Sequence, residues 1–439
     1  MIFWILLVIG VLIFVVHKAK NTEQNYKKLL YIYLITWAVA LVLSSYGFFD
    51  MEVPSDFAYF LLLLHLVGFV VGALLISTSV KGKSSQTELS FKRIEDGLVQ
   101  ILESPVFRMI IVLMAIYVTY VFSKYWVKVL LYNNISETRG QLVDIYGGFY
   151  YTFARPLLFL PTTILCYILF GYAIFKKRDW VCLLMGYYLI VNASLTGGRI
   201  GYFFIAIGAV FVNVFIIKAK LGKNWPKIVM AIAALYGVVV LITTFRSGTI
   251  SIDQGNMEYG VEVANEQIVT YTVGPQAAFN YAIDNDYLRQ VGGFGYGSFT
   301  LTPVVSLIDL FTFTFGGVRV NSHNMKLISQ LEDTPIYLAG GTQGWNALYT
   351  SVIFYYMDAG VIGVFLFPLI LGMLFSFLVR KTLKSGSVII FALCGYFFIL
   401  MIKSIMKMEV FWGYDSFAIA IMFIIGSIKT KKHGIKQLR

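Results

Sequence analysis

Charge is scarce in this chain: Asp, Glu, Lys and Arg together make up 13% of its 439 residues, while hydrophobic residues make up 58%. Mean hydropathy is +0.76. A soluble globular class is excluded, since such domains carry about twice that charged fraction. Cysteine is nearly missing as well. Cys166, Cys182 and Cys394 each lie inside an apolar run, an odd and scattered set that supports neither a disulfide framework nor a metal cluster. The segments of mixed charge, such as Lys92-Arg93-Ile94-Glu95-Asp96, contain no Gly-rich phosphate cradle and no Walker-type Lys, which argues against an ATP-driven pump. Internal repeats and low-complexity tracts are missing too.

What the chain has in abundance is long apolar runs. They fall at about 2–17, 29–48, 57–79, 106–123, 156–175, 180–196, 200–217, 228–245, 353–379, 387–403 and 411–428, and a crossing of the hydrocarbon core needs about 20 residues. The fold expected is therefore an all-α polytopic membrane protein of about 11 transmembrane helices. The first run is the shortest for a span. It lacks a basic leading region and is followed by His17-Lys18-Ala19-Lys20, so it is expected to be a first span with its N-terminus outside rather than a cleaved signal.

The net charge of +12 would suggest nucleic acid in a soluble protein, but here the basic residues sit in short segments between apolar runs and set orientation instead. Nucleic acid is not an expected partner. The segments after the first, third, fifth, seventh, ninth and eleventh runs hold about twice as many Lys and Arg as the much longer opposite side. That places the basic side and the C-terminus in the cytoplasm. Residues 124–155, the tight Gly197-Gly198-Arg199 link and the stretch 246–352 then face out. The last is a large extracytoplasmic loop domain between spans 8 and 9, which divides the chain into 1–245, 246–352 and 353–439. At about 100 residues it far exceeds ordinary connections. Its aromatics, aliphatics and clusters such as Gly292-Gly293-Phe294-Gly295-Tyr296-Gly297 suit a packed cap. Within it, Ser298 to Phe315 carries Pro303 and Asp309 and is expected to be re-entrant or interfacial, because a crossing would invert everything downstream.

Chemistry is expected on the outer side. Arg155, Arg199 and Arg246 sit where spans end, and a guanidinium there can hold a phosphate bidentately at headgroup depth. Glycines beside Arg199 and Arg246 let the backbone approach the same anion. The competing reading is that each arginine merely snorkels to the interface or pairs with headgroups, and Arg139, also on the outer side, supports the phosphate reading less well than Arg199. His323 is the single histidine of the large outer loop and could take a proton from an attacking hydroxyl. Asp358, in the outer part of an apolar run, is costly unless paired, with Arg199 or Arg246 as candidate partners and a purely structural ion pair as the alternative. Tyr146, Tyr271, Tyr281, Tyr296, Tyr355 and Tyr356 among others could stack on sugar rings, although an interfacial aromatic belt accounts for most of them.

The run Trp345-Asn346-Ala347-Leu348-Tyr349-Thr350, followed by Tyr355-Tyr356-Met357-Asp358-Ala359-Gly360-Val361-Ile362-Gly363, resembles the oligosaccharide repeat-unit polymerases of bacterial surface polysaccharides, the O-antigen polymerase (Wzy-like) family. Thr196-Gly197-Gly198-Arg199 and Phe245-Arg246-Ser247-Gly248 look similar as well. The resemblance implies a glycosyltransferase of the bacterial cytoplasmic membrane that works on the outer face without cofactor or metal. The growing glycan on a polyprenyl diphosphate is the donor, and a hydroxyl of a second lipid-linked unit attacks its anomeric carbon and expels the lipid diphosphate. His323 and Asp358 would be the catalytic candidates, and Arg155, Arg199, Arg246, Asn346 and Tyr349 the substrate-binding ones. Lipid, a chain-length regulator and a flippase would be its partners. A glycan ligase would use the same donor, and a flippase or transporter would need a polar path instead of a base.

Overall fold

The computed structural model describes residues 1–20, 22–48, 51–76, 84–132, 150–176, 179–195, 200–217, 236–237, 240, 254–286, 288, 293–297, 308, 312, 336–337, 344–345, 350–406 and 413–436. These are helical throughout, apart from connections and a two-residue antiparallel pair, β1 (Ile336–Tyr337) with β2 (Gly344–Trp345). Among the described residues, five helices are long and apolar enough to cross a membrane: 24–44, 56–75, 105–128, 157–176 and 352–385. Shorter apolar helices occupy 2–18, 180–194, 201–217, 388–403 and 416–428. Ten of the eleven apolar runs thus lie on helices of a helical membrane protein. The run 228–245 falls almost wholly outside the described residues, as does the segment 298–315.

The chain clusters into two compact units, neither of them a continuous segment. The first comprises Met1–Lys81, Gln267–Lys381 and Leu400–Phe417. Its opening helices are α1 (Ile2–Lys18), α2 (Gln24–Ser44) and α3 (Asp56–Leu75). Glu23 starts α2 by accepting a hydrogen bond from the Tyr26 N–H, and Ser55 does the same for α3 from Ala58, each satisfying an amide that has no partner within its helix. The Lys27 ammonium donates to the carbonyl of His17 at 2.9 Å, closing the end of α1 where a cation is favoured.

The tightest packing in this unit is made by residues without side chains. Gly68 and Gly72, one turn apart on α3, lie against the carbonyls of Phe365 and Leu369, and Gly372 lies against the carbonyl of Phe69. In a membrane the hydrophobic effect does little to hold helices together, so close backbone approach through small residues is a main source of cohesion. Gly72→Leu is accordingly expected to destabilise the unit by at least the roughly 1–3 kcal/mol typical of overpacking. Gly10→Leu, where a Cβ meets nothing within 4 Å, should leave it unchanged. Thermal unfolding of the two variants in detergent checks this, and equal midpoints would refute it.

The second unit comprises Gly82–Glu266, Thr382–Ile399 and Ala418–Arg439. It contains α4 (Ser84–Glu103), α5 (Pro105–Tyr132), a wide π-type helix Tyr150–Phe159 running into α6 (Leu160–Lys176), then α7 (Trp180–Ser194) and α8 (Ile200–Val212). Helix α4 occupies what the sequence suggests to be a plain connection between spans. Among its described side chains, Ser90, Ile94, Leu98 and Leu102 are buried, and a spacing of four puts them on one face. On the polar face, Glu95 pairs with Lys176 at 3.3 Å and accepts a hydrogen bond from the Tyr172 hydroxyl at 3.1 Å. Asp179 caps α7 through the amides of Val181 and Cys182 and meets Arg108 at 3.7 Å. The three cysteines are buried and free.

Helix α9 (Gln254–Asp284) lies inside the polar stretch expected to form the outer loop. Its residues 267–284 belong to the first unit, and every residue from 273 to 280 is buried. The side-chain carbonyl of Asn280 accepts a hydrogen bond from the Ser55 N–H at 2.8 Å, which ties α9 to the start of α3. This part of the long stretch is integral to the first unit's core.

Candidate functional site

The apolar run 353–379 forms the body of one long helix, α10 (Val352–Ser385), but that helix is interrupted. Ala359 (φ −153°, ψ 27°) and Gly360 (φ 58°, ψ −144°) leave helical geometry and split it into half-helices. A break at membrane depth strips carbonyls of their partners, and the cost is several kcal/mol per group unless protein restores them. Here the segment 293–297 restores them. The N–H of Gly295 donates to the Met357 carbonyl at 2.8 Å, and that of Tyr296 donates to the Asp358 carbonyl at 3.0 Å.

The break gives a physical reason for the spacing Asp358-Ala359-Gly360-Val361-Ile362-Gly363. Gly360 takes a left-handed backbone that L side chains resist. A Cβ there would also sit 3.2 Å from two ring carbons of Phe294. At Gly363 a Cβ would run into the carbonyl of Tyr355, so the second half-helix begins in close contact with the first. Asp358, at the end of the first half-helix, is fully buried and is not without a partner.

Polar side chains gather near the start of the same helix in the first unit. The Tyr33 hydroxyl lies 2.9 Å from His65 Nε2. The His65 ring stacks on Tyr355 at 5.7 Å and 13°, and Trp37 faces it at 5.1 Å. Tyr33 packs on Phe69 at 4.6 Å and Tyr355 on Phe367 at 5.9 Å. The N–H of Ser351 donates to the Ser404 carbonyl at 2.9 Å, which joins the end of α11 (Val388–Lys403) to the start of α10. Several polar atoms of the unit are buried without a partner: Nδ1 of His65, both ends of the Gln276 amide and the hydroxyl of Thr350. Polar groups of this kind inside a membrane bundle are expensive and mark functional positions more often than not.

Of the catalytic and substrate-binding candidates, two are described, while of the aromatics that could stack on sugar Tyr271, Tyr281, Tyr296, Tyr355 and Tyr356 are described as well. Asp358 sits at the break. Arg155 lies in the π-type helix of the second unit, half-buried and engaged with a partner. His323, Arg139, Arg199, Arg246, Asn346 and Tyr349 lie outside the described residues. His65, Tyr33 and Gln276 are not marked as site elements by the sequence, and of 293–297 only Tyr296 is, as one of many aromatics that could stack on sugar. For His65 a signal existed, because the run 57–79 contains no Asp, Glu, Lys or Arg and His65 is its one histidine. Among the described residues, no three of His, Cys, Asp and Glu come together as metal ligands. No family model, curated protein or solved structure matches the chain.

Proposed function

We propose that this protein is a glycosyltransferase that polymerises lipid-diphosphate-linked oligosaccharide repeat units on the outer face of the bacterial cytoplasmic membrane. The observation that carries this reading is the broken helix. The residues that resemble the polymerase motif, Asp358 to Gly363, are the ones at which a membrane helix opens and binds a segment of the long polar stretch. In this reading an acceptor hydroxyl attacks the anomeric carbon of the donor, the glycosidic bond forms, and the bond to the lipid diphosphate breaks. Arg199, Arg246 and Arg155 would stabilise the leaving diphosphate, His323 would accept the hydroxyl proton, and Asn346 and Tyr349 would hold the saccharide. The complete burial of Asp358 suits a group that fixes the break better than one that meets an acceptor.

The test is reconstitution of the purified protein in lipid with lipid-diphosphate-linked repeat units and nothing else. The expected result is a ladder of longer glycans without ATP or nucleotide sugar, because the leaving diphosphate supplies the driving force; chelator should leave the ladder intact. The break favours a second reading, since interrupted helices with buried polar groups also line transport paths. If units cross the bilayer and none grows longer, the protein is a flippase or transporter.

Orientation belongs to the same proposal. Single cysteines at Gly260 and Asn285 should react with an impermeant thiol reagent in intact cells, and those at Gly82 and Gly434 should stay silent. Labelling at Gly434 together with Gly260, with Gly82 still silent, would mean that residues 298–315 cross the membrane.

A further inference from the structure

The segment Gly293–Gly297 holds an aromatic side chain in the open. Tyr296 is 87% exposed although its backbone is fixed: its N–H is bound to the carbonyl of Asp358. Its φ is +49°, a left-handed conformation that costs a tyrosine and would cost a glycine nothing. Gly293 at φ +100° and Gly297 at φ +89° make the turns on either side. Phe294 rests against Gly360 and meets the Tyr296 ring edge-on at 6.4 Å, so the tyrosine is braced from below. Just beyond the break, Val361 and Ile362 are 40% and 73% exposed on the second half-helix. An exposed aromatic side chain is therefore anchored by its backbone at Asp358, three and four residues before the exposed Val361 and Ile362.

We propose that Tyr296 is the platform on which a sugar ring of the lipid-linked substrate stacks, with the polyprenyl chain lying along Val361 and Ile362. The ligand class follows from the chemistry. An aromatic face suits the apolar C–H face of a pyranose, and its hydroxyl edge can meet the sugar's hydroxyls. An exposed valine and isoleucine on the second half-helix, just beyond the break, suit a hydrocarbon tail. An amphiphile with a sugar head and an isoprenoid tail satisfies both. The strain at residue 296 has a use in this arrangement, because it aims the ring away from the bundle. The inference rests on the polymerase reading for the identity of the amphiphile.

The variant Tyr296→Gly separates binding from folding. It removes the ring and relaxes the backbone, so thermal stability in detergent should be unchanged or higher. Its KM for lipid-linked repeat units should rise about tenfold or more, the loss of one good contact, with kcat less affected. Tyr296→Phe and Tyr296→Trp, which keep an aromatic face, should stay near wild type. In parallel, the lipid-free oligosaccharide released by mild acid from the same lipid-linked units is titrated against wild type and Tyr296→Gly in lipid nanodiscs, with binding followed by saturation-transfer NMR. Loss of saccharide signal in the glycine variant is the expected result. If wild type extends chains and Tyr296→Gly does so with the same KM and the same saccharide signal, the platform is refuted while the polymerase reading stands. If wild type extends nothing but the glycine variant still loses saccharide binding, polymerisation fails and the platform stands.

Discussion

His323→Ala should reduce glycan extension about 100- to 10,000-fold in the reconstituted reaction, the usual contribution of a general base, while the amount of folded protein stays at the wild-type level. Asp358→Ala should do the reverse. Asp358 is wholly buried beside the break in α10 and is not without a partner, and removing a buried polar group costs about 1–3 kcal/mol, more for a charged one, because the group it satisfied is left desolvated. Since folded proteins are stable by only about 5–15 kcal/mol, most of the Asp358→Ala loss should appear as missing protein, and the fraction that folds should keep a measurable turnover. Extension and folded amount are therefore measured together, by gel ladder and by size-exclusion yield. If Asp358→Ala folds normally and abolishes extension while His323→Ala extends normally, the assignments are exchanged.

The membrane helices were legible in the sequence because their signal is additive. A run such as Phe57 to Ser79 declares itself through composition alone, and helices stand where such runs stand. Two other helices were not legible for the same reason. In α4 the apolar residues Ile94, Leu98 and Leu102 recur every four positions among charges, so a search for uninterrupted apolar runs passes over them. Helix α9 carries Glu258, Glu262 and Glu266 in its first half and Pro275 in its second, a composition that suggests a loop. What buries its second half is tertiary, as the Asn280 bond to the backbone of Ser55 shows.

The candidate site was half legible. Asp358, Gly360 and Gly363 were visible as a pattern, but not the reason for it, because a left-handed φ and a collision with a carbonyl are properties of the folded backbone. The pairing of Tyr33 with His65 joins two spans 32 residues apart, and nothing in local sequence couples them. Tyr296 looked like one more interfacial aromatic. Its distinction lies in the bond to Asp358 and in its exposure, which no composition reveals.

Gly360→Val should largely abolish the folded protein, and Gly360→Ala should weaken it by an amount that can be traced to its source. Two costs act at this position. A positive φ with ψ of −144° lies in a region essentially confined to glycine and costs another residue on the order of 1–3 kcal/mol, and a β-branched one more, since its χ1 is already restricted. The second cost is steric, because a Cβ stands 3.2 Å from Phe294 Cε1 and Cζ and the ring must shift. If it shifts, the bonds from Gly295 and Tyr296 to the Met357 and Asp358 carbonyls are strained, and those carbonyls approach the unsatisfied state that membrane depth penalises. The pair Gly360→Ala and Phe294→Ala separates the two costs. The double variant should recover the steric share and retain the backbone share, so its stability loss should be smaller than the sum of the single losses, a coupling expected only of residues in contact. The measurement is thermal unfolding of the four proteins in the same detergent, with extension assayed on each. A Gly360→Ala protein that melts with wild type and extends chains normally would show that the helix runs through Asp358 to Gly363 without a break, and the site would have to be sought elsewhere in the chain.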